Sequence, residues 1–423
     1  MEKIFVSIAS YRDPETIPTI LDAQNKAKYP NNIRFGLCLQ HEPGETDLSI
    51  IKNTNTETIE YNWRESQGTC WARHNIQKQL YDGENYYFQL DSHHRFCPEW
   101  DDKLINLIKS LKEVCEKPII GGYCPGYKPS ENILEDAPMK INSYPDFTSQ
   151  GDLMFYPKVI KDFKTLRENN TSFVTARFLS GHFIFADGIF CKECLYDPNL
   201  YFRGEELSLS ARAFTKGYDF FHPTESIVWH EYIRKEKTKH WDDHIVNNGF
   251  ILTATNRSEK AKTRVRHLLG MEENNTIFGN YGLGNKRSLH DYELYAGLNL
   301  KTRQIHKYAY DIKNKYPHPF TMSEAEWSSG LMEKYKIKFF VDSNVIENIK
   351  NDKNATTVAL IFETKFGSPV YRKDIKDKEI QLLKDNYYIE SSMDEKPSRI
   401  SIVTFAADKT TINKTVISNM VIS

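Results

Sequence analysis

Tyr86 to Phe96 reads Tyr-Tyr-Phe-Gln-Leu-Asp-Ser-His-His-Arg-Phe, an apolar run that stops abruptly at Asp91-Ser92-His93. In an extended chain residues i and i+2 project to the same side, so Asp91 and His93 are expected to aim a carboxylate and an imidazole at one point. A buried strand ending in such a pair is what a parallel α/β sheet presents at its carboxyl edge, where open sheets of this class bind ligands. Together the two side chains make a candidate metal site. On these residues alone, a turn capped by Asp91 beside an ordinary polar His93 explains the pattern equally well.

Outward from this stretch, the same alternation recurs. Ile4–Ala9 reads as a buried strand followed by the loop Ser10-Tyr11-Arg12-Asp13-Pro14 and a helix carrying Ile17, Ile20 and Leu21. Ile33–Leu39 is a second strand ending at Gln40, and Thr58–Asn62 a third, after which Ser66-Gln67-Gly68 opens a helix reaching Leu80. Downstream, Trp100 to Leu111 has helical apolar spacing and Pro118–Gly122 is another strand; Tyr123 to Tyr144 reads as a surface excursion. Arg177–Phe185 is expected to be a strand, Glu205 to Gly217 a helix with acids at its positive end, and Ser226–His230 a short strand ending in a histidine. Strand, loop and helix in repetition predict an α/β fold, a mainly parallel sheet covered by helices on both faces, with functional groups in the loops after the strands. Residues 246–334 are expected to be mostly helical. From about residue 335 short β-rich runs predict a small all-β domain. The expected division is 1–245, 246–334 and 335–423.

Length and composition exclude several classes. A chain of 423 residues with 39% apolar content and 13% aromatic content is expected to fold into more than one globular part. Its 56 basic residues balance 57 acidic ones, which gives no reason to expect a nucleic-acid partner. No run approaches the ~18 apolar residues that span a bilayer. Seven irregularly spaced cysteines fit a reducing compartment, and the expected location is the cytoplasm. The CxxC of Cys191 and Cys194 has no second pair at zinc-site spacing and reads as packing thiols.

Three candidate metal ligands, Asp91, His93 and His230, stand at strand ends. A carboxylate with imidazoles suits Mn²⁺, whereas Mg²⁺ usually takes oxygen alone. Such an ion can neutralise charge building on a departing diphosphate. A lone His230 is more often a satisfied core histidine; its position beside Trp229 and before the basic run Tyr232–His240 favours the site. Gly68 and Arg73 sit where a helix begins, a place that favours anions, although one glycine before a helix is common. Glu205 and Glu206 make plain helix-dipole sense, and in a sugar cleft one of them can accept hydroxyl hydrogen bonds while the other faces the core or caps the helix.

Taken in order, SIASYRDPE, SQGTCWARHN, DSHHRF, SGHFIFADGIF, FRGEELSLSARAFTKGYDFFHP with VWHEY, and FGNYGLGNKRSLHDYELYAGLNL resemble the hydroxyproline-polypeptide N-acetylglucosaminyltransferase family over roughly residues 1 to 310. More distantly the chain is similar to the polypeptide GalNAc-transferases. The resemblance implies a GT-A fold, a retaining transfer, a UDP-sugar donor (UDP-GlcNAc first), a protein or polysaccharide acceptor, and Mn²⁺ with Mg²⁺ as the alternative. It implies Asp91, His93 and His230 as metal ligands and Glu205 and Glu206 as the catalytic acidic segment. Ser10, Tyr11, Arg12, Gln40, Gln67, Gly68, Arg73, Asp91, Ser92, Gly181 and His182 become the donor side, and Trp229, Arg234 and Lys235 an acceptor contact or lid. The C-terminal β region lies outside the resemblance. A sugar-phosphate nucleotidyltransferase, which releases pyrophosphate, and a non-catalytic glycan-binding protein are the readings of other classes.

Overall fold

The structure is a computed structural model that describes residues 2–137, 139–148, 152–159, 163–169, 171–234, 236–250, 252–310, 322–393 and 395–423. The chain forms two compact units. The first comprises Met1–Tyr144, Phe155–Lys301 and Ala309–Met322; the second comprises Pro145–Met154, Thr302–Tyr308 and Ser323–Ser423.

The first unit is built on β1 (Ile4–Tyr11), α1 (Thr16–Lys26), β2 (Ile33–His41), β3 (Thr56–Asn62), α2 (Thr69–Gln79), β4 (Tyr86–Asp91), β5 (His94–Phe96), α3 (Trp100–Leu111) and β6 (Pro118–Gly121). It continues with β7 (Phe173–Ala176), β8 (Phe183–Asp187), α4 (Glu205–Thr215), β9 (Asp219–Pro223), β10 (Val228–His230), α5 (His240–Asp243), α6 (Ala254–Leu268) and α7 (Leu289–Ala296). An eight-stranded sheet runs in the order β7-β9-β6-β8-β4-β1-β2-β3. β1 pairs in parallel with both β2 and β4, as does β2 with β3 and β6 with β9. β8 lies antiparallel between β4 and β6, and β7 is antiparallel to β9. The expected mainly parallel α/β architecture is therefore present, and β1 and β4 end side by side at one carboxyl edge.

Near-continuous apolar runs leave β1, β2, β4, β6 and β8 buried on both faces. Phe88 at the centre of β4 is fully buried among the rings of Phe96, Trp100, Phe183 and Phe185. In α3, Trp100, Leu104, Leu107, Ile108 and Leu111 recur at helical spacing and pack on the same core. Two local expectations differ from the structure. Residues 177–182 form turns and a bridge rather than the first half of a strand. Their backbone instead packs over a buried ion pair, described below. The stretch expected to be mostly helical contains α6, α7 and a short helix at Glu324–Gly330, separated by long segments that are largely non-helical, one of them the glycine-rich loop before α7; residues 311–321 lie outside the described residues.

In the second unit, β11 (Glu333–Phe340), β14 (Asn386–Met393) and β17 (Met420–Ile422) form a three-stranded antiparallel sheet. β12 (Thr357–Glu363), β13 (Pro369–Lys376), β15 (Arg399–Phe405) and β16 (Thr411–Ile417) form a four-stranded one. Alternating Ile337 and Phe339 from the first sheet and Val358, Leu360, Phe362, Ile400 and Ile402 from the second share one apolar core. The all-β expectation needs one amendment: α8 (Ser343–Asn351), capped by Asp342 on the N–H of Asn344, buries Ile346 and Ile349 in that core. Among the described residues no helix is long and apolar enough to cross a membrane.

Replacing Phe88 with Ala should destabilise the first unit by about 3–5 kcal/mol through lost burial and a residual cavity, measured as a fall in the urea midpoint.

Candidate active site

β4 ends at Asp91, and Ser92 and His93 form a bend before β5 resumes at His94. The extended geometry expected for Asp91 and His93 is absent. Thr19 of α1 holds the bend instead: its hydroxyl donates to the Ser92 carbonyl at 2.9 Å and accepts the His94 N–H at 2.9 Å. β5 then pairs antiparallel with β10, with His94 opposite His230. That register carries His230 back across 139 residues to Asp91, where Nε2 faces Oδ2 at 3.2 Å. Asp91, His93 and His230 each offer a ligand atom, and these atoms lie within 4.8 Å of one another.

The protonation states suit a cation. Asp13 Oδ2 accepts from His93 Nδ1 at 2.7 Å, which leaves Nε2 of that ring with its lone pair, the arrangement common behind metal-bound histidines. Burial pushes His230 down to about 4, against the hydrogen bond that Asp91 Oδ2 accepts from it. Burial opposes ionisation of Asp91 as well, but the His230 hydrogen bond and the Arg73 cation overcome it and hold the carboxyl well below the ordinary range. One carboxylate and two imidazoles thus face one point, with His230 Nδ1 buried and unpartnered. The set fits Mn²⁺. The rings of His94, edge-on, and His182, tilted, pack against His230 with centroids 4.9 and 4.6 Å from its own, and burial holds both well below the usual histidine range.

Behind the metal candidates lies Arg73 of α2, 1% exposed. One guanidinium nitrogen bonds Asp91 Oδ1 at 2.7 Å and the other Glu205 Oε1 at 2.9 Å, with the Tyr196 hydroxyl at 3.2 Å. The expected phosphate grip is therefore replaced by a strut between two carboxylates. Glu205 is turned inward, its second oxygen accepting from Cys70 Sγ at 3.0 Å. Glu206 faces the other way, and its Oε1 accepts the Gly181 N–H at 2.8 Å. Burial, with the Glu205 charge adding to it and the Gly181 N–H opposing, pushes the Glu206 carboxyl up to about 7. Gly181 is required here by close approach: a Cβ would lie 2.4 Å from Glu205 Oε1. Its carbonyl accepts from Gln89 Nε2 at 2.6 Å, which also donates to the Tyr196 hydroxyl at 2.7 Å.

The remaining donor-side candidates divide. Ser10, Gln40 and Ser66 hold one another: Gln40 donates to the Ser10 carbonyl at 3.0 Å and accepts from Ser66 Oγ at 2.6 Å, while the Ser10 hydroxyl meets Thr16 at 2.6 Å. Gly68 caps α2 at φ +106°, and its N–H lies 3.3 Å from Ser66 Oγ. A Cβ there would meet the Tyr201 carbonyl at 2.5 Å. Gln67 is exposed. Tyr11 and Arg12 both bond Asp243 Oδ2 of α5, at 2.9 and 3.0 Å. Ser92 Oγ donates to Asp13 at 2.6 Å. His182 is buried, its Nε2 accepting the Cys124 N–H at 3.3 Å, which orients Nδ1–H toward Ser180 Oγ at 3.0 Å. Trp229 donates to the Glu135 carbonyl at 3.0 Å. Arg234 reaches Asp13 Oδ2 at 2.9 Å, so this cation is tied to the site's own carboxylate; Lys235 lies outside the described residues. The sequence reading left Gln89, Tyr196 and the His93 partnership of Asp13 unassigned. Only Gln89 carried a signal, an amide inside an apolar strand two residues before Asp91.

The class of protein follows from comparison of the chain with known families. A family model described as Glycosyltransferase (GlcNAc) matches residues 3–50 and 43–302, and the chain belongs to that family. A comparison with curated proteins gives no match. Similar solved structures include GalNAc-T7 with UDP, GalNAc and Mn²⁺, at 12% identity and a TM-score of 0.47, covering 99% of this chain and 72% of that one. Another is S. aureus TarS 1-349 in complex with UDP-GlcNAc, at 11% identity and a TM-score of 0.36, covering 61% and 70%.

Arg73→Met leaves two carboxylates facing each other without a cation, and should cost about 3–5 kcal/mol in urea unfolding at neutral pH, with a smaller deficit in acid. For Glu206, a folded pKa of about 7 lies above the unfolded value, so the native state binds the extra proton and its contribution falls as pH rises from about 4.5 to 7. Glu206→Gln should remove that loss: Tm of the variant relative to the parent should rise across this window.

Proposed function

We propose that this protein is a retaining glycosyltransferase that moves N-acetylglucosamine from UDP-GlcNAc to an acceptor hydroxyl on a protein or glycan, with a divalent ion, Mn²⁺ before Mg²⁺. The observation that carries the reading is the meeting of Asp91, His93 and His230, with ligand atoms within 4.8 Å of one another, beside the Arg73–Glu205 pair. Family membership supports the reaction class, and the seven free thiols agree with a cytoplasmic setting. The ion, held by those three side chains, would supply charge neutralisation at the diphosphate.

The chain's own residues do the rest. Asp13 keeps the His93 imidazole in the tautomer whose Nε2 faces the site. Arg73 locks Asp91 in place while its charge is shared with Glu205. Glu206, anchored by the Gly181 N–H, is the carboxylate left to receive donor or acceptor hydroxyls, and its partial protonation near neutrality lets it accept or donate. Tyr11, Arg12 and Asp243 are assigned to the nucleoside side of the donor, where the β1 loop meets α5. The acceptor hydroxyl attacks on the face from which UDP leaves, so the anomeric configuration is kept.

A screen of UDP-sugars with Mn²⁺ present or chelated, reading UDP release and then the anomeric product by NMR, tests this directly. UDP release from UDP-GlcNAc that stops on chelation, an α-linked product, and a loss of about 100-fold or more in His93→Ala are the expected results. Release of pyrophosphate from a nucleoside triphosphate and sugar phosphate, or full activity in His93→Ala, overturns the proposal.

A further inference from the structure

Three donors from two distant parts of the chain converge on a single oxygen of Asp13. Its Oδ2 lies 2.6 Å from Ser92 Oγ, 2.7 Å from His93 Nδ1 and 2.9 Å from an Arg234 guanidinium nitrogen. The other oxygen accepts the Glu15 N–H at 3.1 Å. Asp13 is 4% exposed, and these bonds, His93 foremost, outweigh its burial and keep the carboxyl well below the ordinary range. Arg234 belongs to the segment leaving His230, where Lys237 is paired with Glu231 and lies near Glu15. One side chain after β1 therefore touches both the ring of a metal candidate and the segment that follows another.

We infer that Asp13 is a positioning residue that couples the metal affinity of the site to the docking of the segment carrying Glu231, Arg234 and Lys237, through the oxygen that His93 and Arg234 share. The inference rests on the proposed metal site. A carboxylate on the remote nitrogen of a metal-binding imidazole sets its tautomer and ring orientation and raises its basicity, and losing such a partner typically weakens metal binding 10–100-fold. Donors on a shared oxygen polarise it in common, so changing one alters what the others hold. Coupling of this kind is reciprocal: whatever docks the segment also tightens the ion, and the ion tightens the segment. A purely structural Asp13 would lower global stability and leave both local properties alone in the molecules that remain folded.

The test uses the full chain. Mn²⁺ affinity is measured by calorimetry with UDP present, and amide exchange is followed in peptides covering 231–239 in the metal-free protein. Asp13→Asn should weaken Mn²⁺ binding about 10–100-fold and speed exchange in that segment more than in the β4 core. Arg234→Gln should weaken Mn²⁺ binding by a smaller factor, and combining the two should add nothing beyond Asp13→Asn, a non-additivity expected of groups on one network. Unchanged Mn²⁺ affinity in Asp13→Asn, or two effects that simply add, overturns the inference. If Asp13→Asn fails to fold, unchanged affinity and exchange in Arg234→Gln overturn it alone. A parent chain that binds no Mn²⁺ overturns the metal reading and this inference with it, whereas a parent that binds, with variants that bind equally, overturns only the coupling.

Discussion

A guanidinium with almost no access to water holds two carboxylates from distant parts of the chain. Arg73 pairs with Asp91 at the end of β4 and with Glu205 at the start of α4. Desolvating three charges is costly, and their mutual attraction in a poorly polarisable interior offsets that cost only while every partner stays in place. This condition propagates outward. Gly181 has no side chain because the pair occupies its space, the 177–182 segment cannot continue as a strand, and Glu206 is directed away from its neighbour toward the Gly181 N–H.

Asp91 works on two fronts. One oxygen belongs to Arg73 and the other faces His230 and His93, at 3.2 and 3.9 Å. The cation behind it keeps the carboxylate ionised despite burial, and burial keeps His230 neutral despite that carboxylate. An anionic carboxylate beside a neutral His230 meets part of what a metal site requires, since ligands bind in their deprotonated forms. The same low-dielectric surroundings therefore hold neighbouring groups in opposite charge states: the His230 hydrogen bond and Arg73 outweigh burial at Asp91, whereas burial outweighs Asp91 at His230.

Much of the scaffold was legible along the chain. β1, β2, β4, α2, α3 and α4 follow from apolar runs and helical spacing, and Gly217 ends α4 as its position suggests, with φ at +95°. Asp91, His93 and His230 stood out as polar side chains closing apolar strands. Other assignments went astray for identifiable reasons. Arg73 at a helix start suggests an anion from outside, and no local pattern reveals that its anions are internal. Asp13 read as a loop residue because its partners lie 79 to 221 positions away. The β-rich C-terminal unit carries a helix in an Asp-capped stretch too short for periodicity to separate from a turn.

By itself the sequence determined which polar and charged side chains stand at the ends of which elements, since hydrophobic period and chain punctuation are local properties. Only the tertiary structure decided how they meet. The β5–β10 register brings His230 to Asp91, the bend held by Thr19 replaces the extended geometry that i, i+2 spacing suggested, and the buried Arg73 turns Glu205 inward and leaves Glu206 to the site. Each of these depends on pairing between segments far apart in the chain, whose energy comes from burial and charge compensation in the assembled interior and is invisible to any window of sequence.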